Sequence, residues 1–94
     1  MSEPTVVDVP ESDRYELRLG DEVVGFVAYR HDGDVLDLVH TEIEPGHEGE
    51  GLGGRLARGV LEDLRARGVP ARPSCPFIRD WVDKHPEFGE NVVG

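Results

Sequence analysis

"HEGEGLGGRLARGV", residues 47–60, places glycines at positions 49, 51, 53 and 54 and then runs on with helical spacing. Leu52, Leu56, Val60 and Leu64 recur every fourth residue, with Ala57 and Leu61 beside them. That is the apolar stripe of an amphipathic helix. Arg55, Arg58, Glu62 and Arg65 lie largely off the stripe, Gly68 suits a C-terminal cap, and Pro70 follows where a helix cannot continue. Glycine inside regular structure costs about 0.5–1 kcal/mol against alanine. A cluster at a helix start therefore marks either a turn or a backbone that must lie against something.

Upstream of the glycines the period changes to two. "YELRLG" (15–20) alternates Tyr, Leu and Leu against Glu and Arg, as a half-buried strand does. "DEVVGFVAYRHDG" (21–33) follows a Gly20-Asp21 turn, and "VLDLVHTEI" (35–43) follows a Gly33-Asp34 turn. Three strands joined tightly make an antiparallel meander, which Pro45 and Gly46 end. Downstream, "VPARPSC" (69–75) is short and extended because Pro70 and Pro73 hold their predecessors away from helix. Phe77, Ile78, Trp81 and Val82 mark a second short helix with Pro76 in its first turn, and "HPEF" (85–88) ends it. These four side chains read as core rather than pocket. The order βββ–α–β–α predicts an α+β fold with helices packed on one sheet. Residues 1–94 are one domain, of which 1–13 read as a loose N-terminal segment.

Composition narrows the function. No stretch approaches the roughly 20 apolar residues of a membrane span, and the acidic N-terminus has no signal-peptide pattern. With a single cysteine, a disulfide framework is not expected. A cytoplasmic protein with no membrane partner is the expectation. Twenty acids face ten bases, giving a net charge of −10. Residues 1–50 carry 14 acids and 3 bases, whereas residues 51–94 carry 6 and 7. So acidic a protein is not expected to bind nucleic acid. The surface fits a salt-rich interior, and equally an ordinary solvated acidic face. The glycine stretch opens the half that is not negative.

Gly49, Gly51 and Gly54 fit G-x-G-x-x-G, but a dinucleotide fold needs an acid about 20 residues on. No Asp or Glu occurs between Asp63 and Asp80, and no Gly-Lys-Ser/Thr is present. What remains is a strand, a glycine loop and a helix start whose N–H groups suit a phosphate. Arg55 sits near that positive end, where a bound anion offsets an unfavourable cation. Glu48 and Glu50 weigh the other way, since they complement a helix N-terminus without any ligand.

Glu48-Gly49-Glu50-Gly51-Leu52-Gly53 resembles the R/Q-x-x-G-x-G/A acyl-CoA loop of the GCN5-related N-acetyltransferases, with Glu48 departing from the usual Arg or Gln. His40, Glu48 and Cys75-Pro76-Phe77 are similar to the pattern of the small, single-domain, YidJ-type branch. The resemblance runs from His40 to Phe88. It implies the mixed sheet of that fold and an acetyl-CoA-dependent N-acetyltransferase, a transferase that uses CoA as co-substrate. It implies that amides of residues 49–54, from Gly49 through Glu50, Gly51, Leu52 and Gly53 to Gly54, hold the pyrophosphate. It also implies that Glu42 and Ile43 pair with pantetheine.

Transfer to an amine needs a deprotonated amine, a polarised carbonyl and a proton for the leaving thiolate. Alternation in residues 35–43 places Leu36, Leu38, His40 and Glu42 on one face. His40 suits a base near neutral pH, and Glu42 does if burial raises its pKa. A core histidine is the plainer reading of His40. Cys75, before a helix start, suits a nucleophile with His40 as its base, a proton donor to CoA, or a small buried hydrophobe. His31, His47 and His85 read as loop or surface residues, and no His or Cys pair has metal spacing. The acceptor is a small-molecule or protein amine, and the chain a monomer or a homodimer. The alternative function is a non-catalytic module that binds CoA or a protein partner.

Overall fold

The computed structural model describes residues 3–47, 49 and 51–94. Five strands form one sheet in chain order: β1 (Thr5–Val9), β2 (Arg14–Leu19), β3 (Glu22–Asp32), β4 (Val35–Ile43) and β5 (Ala71–Pro73). The β1–β4 neighbours are antiparallel, and β5 pairs parallel to β4 through Leu36↔Ala71, Asp37↔Arg72 and Leu38↔Pro73. A parallel neighbour needs a crossover, and α1 (Leu52–Ala66) supplies it. The chain then enters α2 (Pro76–Lys84) and a 3₁₀ turn over Pro86–Phe88.

The stripe read from sequence is the buried face of α1: Leu52, Leu56, Ala57, Val60, Leu61 and Leu64. It packs with Tyr15 and Leu17 of β2, Val24, Val27 and Tyr29 of β3, Leu36 and Leu38 of β4, and Ile78 and Val82 of α2. Both helices thus cover the same sheet face. The C-terminus of α1 closes as expected, with Gly68 at φ +69° and N–H bonds from Gly68 to Arg65 O and from Val69 to Leu64 O. Together they make a Schellman motif.

Residues 5–9 are not loose: they form β1, paired with β2 from Thr5↔Arg18 to Val9↔Arg14. The strand is held from above. Val6 packs on α1 where Gly59 leaves room, and Asp8 accepts bonds from Tyr29 Oη at 2.7 Å and Arg67 at 3.2 Å. Tyr15 Oη donates likewise to Asp63, at 2.6 Å. Burial first, and then the bonded carboxylates, push both phenol pKa values up.

The other face of the sheet is polar yet holds a buried acid. Glu16 is 6% exposed and lies between Arg14 and Arg18, each at 2.7 Å. Hydrogen bonds from Arg18, then Arg14, hold its carboxyl below the usual range. A depressed carboxyl stabilises the fold above its unfolded pKa, and that contribution is lost as pH falls through the folded value. Glu16→Gln should therefore destabilise at pH 7. The gap to the native chain should start to close below pH ~4.5, as read from denaturant midpoints at several pH values.

A Cβ on Gly59 would stand 2.4 Å from Val6 Cγ2 and 2.8 Å from Val6 Cβ. Gly59→Ala should cost about 1–3 kcal/mol through overpacking. Adding Val6→Ala should recover part of that loss, and a double-mutant cycle by thermal unfolding measures the coupling.

Candidate functional site

The site is built around an extra residue in β4. Ala28 pairs with His40 and Tyr29 pairs with Leu38, so Val39 stands between them as a bulge. A bulge of one residue shifts the facing of everything after it. Leu36 and Leu38 point into the core, but beyond Val39 the inward places pass to Thr41 and Ile43. His40 and Glu42 move to the opposite face, beside Phe26, whose ring centroid is 6.0 Å from that of His40. The shared face expected for Leu36, Leu38, His40 and Glu42 is thereby corrected. The sequence carried a signal: Leu36 and Leu38 are even and Ile43 is odd, which an unbroken alternation cannot satisfy.

Beyond Leu38, β4 loses its partner on the β5 side. Cys75 N–H donates to Leu38 O at 2.8 Å as the last rung, and then α2 turns away. Glu44 N–H bonds Val24 O across to β3, at 2.8 Å. By alternation the backbone groups of Ile43 and Thr41 face the edge that β5 has left. Among the described residues, no strand takes that place. Ile43 lies on this strand edge.

Gly51 caps α1 at φ +75°, a conformation glycine adopts without strain, and it offers no side chain to the helix's first N–H groups. Among the described residues the first turn of α1 holds no acid. Glu48 and Glu50 lie outside the described residues. A groove of about 280 Å³ runs from Gly49 and Gly51–Gly54 to Ile43, with Phe77 as its wall. Phe77 is 42% exposed and is a groove residue, not core. Gly53 lets the Phe77 ring lie close, since a Cβ there would fall 2.8 Å from Phe77 Cζ and displace that exposed ring. Arg55 is exposed, with Glu3 at 4.0 Å. A helix start with no side-chain cap among the described residues, open glycines and an exposed arginine form a set that fits an anionic ligand such as a pyrophosphate.

Cys75 is buried at the N-cap of α2, with its Sγ 3.3 Å from Thr41 Oγ1. His40 is exposed, with its Nε2 3.8 Å from Glu42 Oε2. The two side chains therefore lie on opposite faces of the sheet, which separates the nucleophile–base pair considered from sequence. Thr41 had not been singled out. Its neighbour is set by the bulge, whose one trace in the sequence is the change of phase from Leu36 and Leu38 to Ile43. Of the other histidines, His47 lines the groove and lies 3.9 Å from Glu22, and His85 stacks on Trp81 rather than standing alone.

Comparison with known proteins agrees with this architecture. Residues 14–92 match the family described as GCN5-related N-acetyl-transferase. The protein NATD1 of Gallus gallus and that of Mus musculus are each 29% identical over 52 residues, covering 55% of this chain and 47% of theirs. The Homo sapiens protein NATD1 gives 29% over the same length, covering 46% of its chain. The chain thus spans about half the length of these curated relatives. The NMR solution structure of a GCN5-like protein from Staphylococcus aureus superposes with a TM-score of 0.72 at 20% identity, covering 100% of this chain and 92% of that one. The chain belongs to the GCN5-related N-acetyltransferase family.

Proposed function

We propose that the protein is an acyl-CoA-dependent N-acyltransferase that moves an acetyl group from acetyl-CoA to an amine. The observation that carries this is the continuity of three features among the described residues: an α1 start with no side-chain cap, the groove along Ile43 and the β4 edge that β5 leaves unpaired. Amides of residues 49–54 and Arg55 hold the pyrophosphate. The backbone groups of Thr41 and Ile43 bond pantetheine as a strand would, and the side chain of Glu42 turns to the other face. The acceptor approaches from that outer face, beside Phe26, His40 and Glu42.

The balance of the reaction assigns the roles. The acceptor nitrogen bonds the thioester carbonyl carbon, the C–S bond breaks, the nitrogen loses a proton and the sulfur gains one. His40, beside the Glu42 carboxylate, takes the proton from the amine. Cys75, on the inner side with its hydrogen-bond partner Thr41, gives a proton to the departing thiolate. Direct attack by the amine replaces the acyl-cysteine route, because the faces of Cys75 and His40 differ. The second reading, a CoA-binding module without turnover, has one observation in its favour: Cys75 is only 4% exposed.

Calorimetry with CoA tests the site. The native chain should bind, and Gly53→Asp should weaken binding at least tenfold by setting a carboxylate and a displaced Phe77 in the groove. Arg55→Ala should cost about 1–2 kcal/mol, the scale of one charged hydrogen bond. Absence of binding by the native chain at millimolar CoA removes the reading.

Thiol release from acetyl-CoA with a panel of amines separates the enzyme from the silent module. In Cys75→Ala, lost turnover with CoA affinity retained marks a proton donor. Full turnover per folded molecule, with alkylation of Cys75 unchanged by acetyl-CoA, leaves the cysteine a packing residue.

A further inference from the structure

A cavity of about 390 Å³ lies at the other end of α1, where Gly68 closes the helix. That volume is within the range of small-molecule sites, about 300–1,000 Å³. α1 is 15 residues long, so its two ends stand about 22 Å apart and the cavity is remote from the glycine loop. Gly68 lines it at φ +69°, and a Cβ there would meet nothing within 4 Å. Part of the wall is the segment 91–93, anchored to β5. Ala71 N–H donates to Asn91 O at 3.0 Å and Val93 N–H donates to Ala71 O at 2.8 Å, around a parallel bridge of Ala71 with Val92.

Three polar groups of this lining lack the partner each one needs. Most arginines of the chain pair with carboxylates, but among the described residues Arg65 does not. Its Nη1 donates to Glu87 O at 3.2 Å and its guanidinium lies 5.4 Å from the Phe88 ring centroid, which hold it in place with N–H groups to spare. Glu90 is exposed and has no cation partner among the described residues. Asn91 donates Nδ2 to Val69 O at 2.8 Å, which fixes the orientation of its amide and leaves Oδ1 buried without a donor. Such an orphaned acceptor is costly, and a ligand N–H relieves it. The rest of the lining is aliphatic: Pro70, Val92 and the exposed Val93. The C-terminal end of α1 adds a partial negative charge, which favours an ammonium. A guanidinium for a carboxylate, a carboxylate and an amide oxygen for an ammonium, and an aliphatic wall together match a small aliphatic zwitterion.

We propose that this cavity binds a free aliphatic α-amino acid. Its carboxylate lies on Arg65, its ammonium on Glu90 and Asn91 Oδ1, and its side chain against Pro70, Val92 and Val93. The site stands the length of α1 away from the glycine loop, so its occupant is not the acyl acceptor, and the inference does not rest on the reading of that loop.

The full chain, isotope-labelled and free of CoA, is titrated with leucine and followed by NMR amide shifts, with calorimetry for the affinity. Leucine should shift the amides of Gly68, Asn91, Val92 and Val93 saturably and leave those of Gly51, Gly53 and Gly54 in place. Leucinamide lacks the carboxylate, N-acetyl-leucine lacks the ammonium and glycine lacks the aliphatic body. Each should bind about tenfold more weakly than leucine. Glu90→Gln, at an exposed position, should close the gap between leucine and N-acetyl-leucine and leave the gap to leucinamide open. Arg65→Gln should do the reverse. No shift at about 10 mM leucine, or shifts confined to the glycine loop, would overturn the site. Equal affinity for leucine, leucinamide and N-acetyl-leucine would overturn it as well.

Discussion

β4 carries one residue more than the strand it pairs with, and Val39 divides it into two phases. Before Val39 the strand has a partner on each side. After it, the β3 pairing continues while the β5 pairing does not. β5 is only three residues long, and Pro70 and Pro73 remove two of the amides that a longer ladder would need. The junction is held instead by Cys75 N–H on Leu38 O at 2.8 Å and by Ser74 Oγ, which donates to Asp37 at 2.5 Å. Asp37 is buried, and Arg30 and Arg72 stand 3.5 and 3.7 Å from its carboxylate. The early end of β5 opens the strand edge beside α1, and the bulge separates the polar side chains of β4, with Thr41 toward Cys75 and His40 and Glu42 toward the outer face.

α1 meets its surroundings through glycines on three sides. Gly53 admits Phe77, Gly54 admits Trp81 and Gly59 admits Val6. Each costs the helix roughly 1 kcal/mol relative to alanine. Six buried side chains on the stripe offset this, because burying a large aliphatic chain contributes about 1.5–3 kcal/mol. The result is a helix whose start lies close against α2. The groove of Ile43 opens beside that contact.

Much of this was legible in the sequence. The helix of residues 52–66, its Gly68 cap, the three meander strands and the short strand before Cys75 all follow from periodicity and from Gly and Pro. β1 was not legible, because Val6, Val7 and Val9 between Pro4 and Pro10 show no clear period. What holds that strand is a glycine 53 residues away on α1 and a tyrosine on β3. The outward turn of His40 left only the phase of Ile43 as a trace, since a bulge is a pairing event between strands. Trp81 and Phe77 were read as core because a short amphipathic helix has one apolar stripe. In α2 that stripe is wider than the core it covers: Ile78 and Val82 fill the core, and the two aromatics remain at the rim.

The net charge of −10 looks ill-suited to an anionic ligand at the glycine loop until the charges are placed. Arg14 and Arg18 hold Glu16, Arg30 and Arg72 flank Asp37, and Arg67 bridges Asp8 and Asp63. These arginines are tied to carboxylates of the fold. The ion pairs of Arg55 and Arg58 are exposed, Arg58 also lies over the Phe88 ring at 5.7 Å, and Arg55 sits in the first turn of α1, where the helix dipole has the same sign. Screening confines an exposed acid's influence to about 8–10 Å at ordinary ionic strength. Arg55 and Arg58 are thus the cations that α1 brings to this end, set against Glu48 and Glu50 in the loop's own sequence, while the acidic remainder of the surface governs solubility.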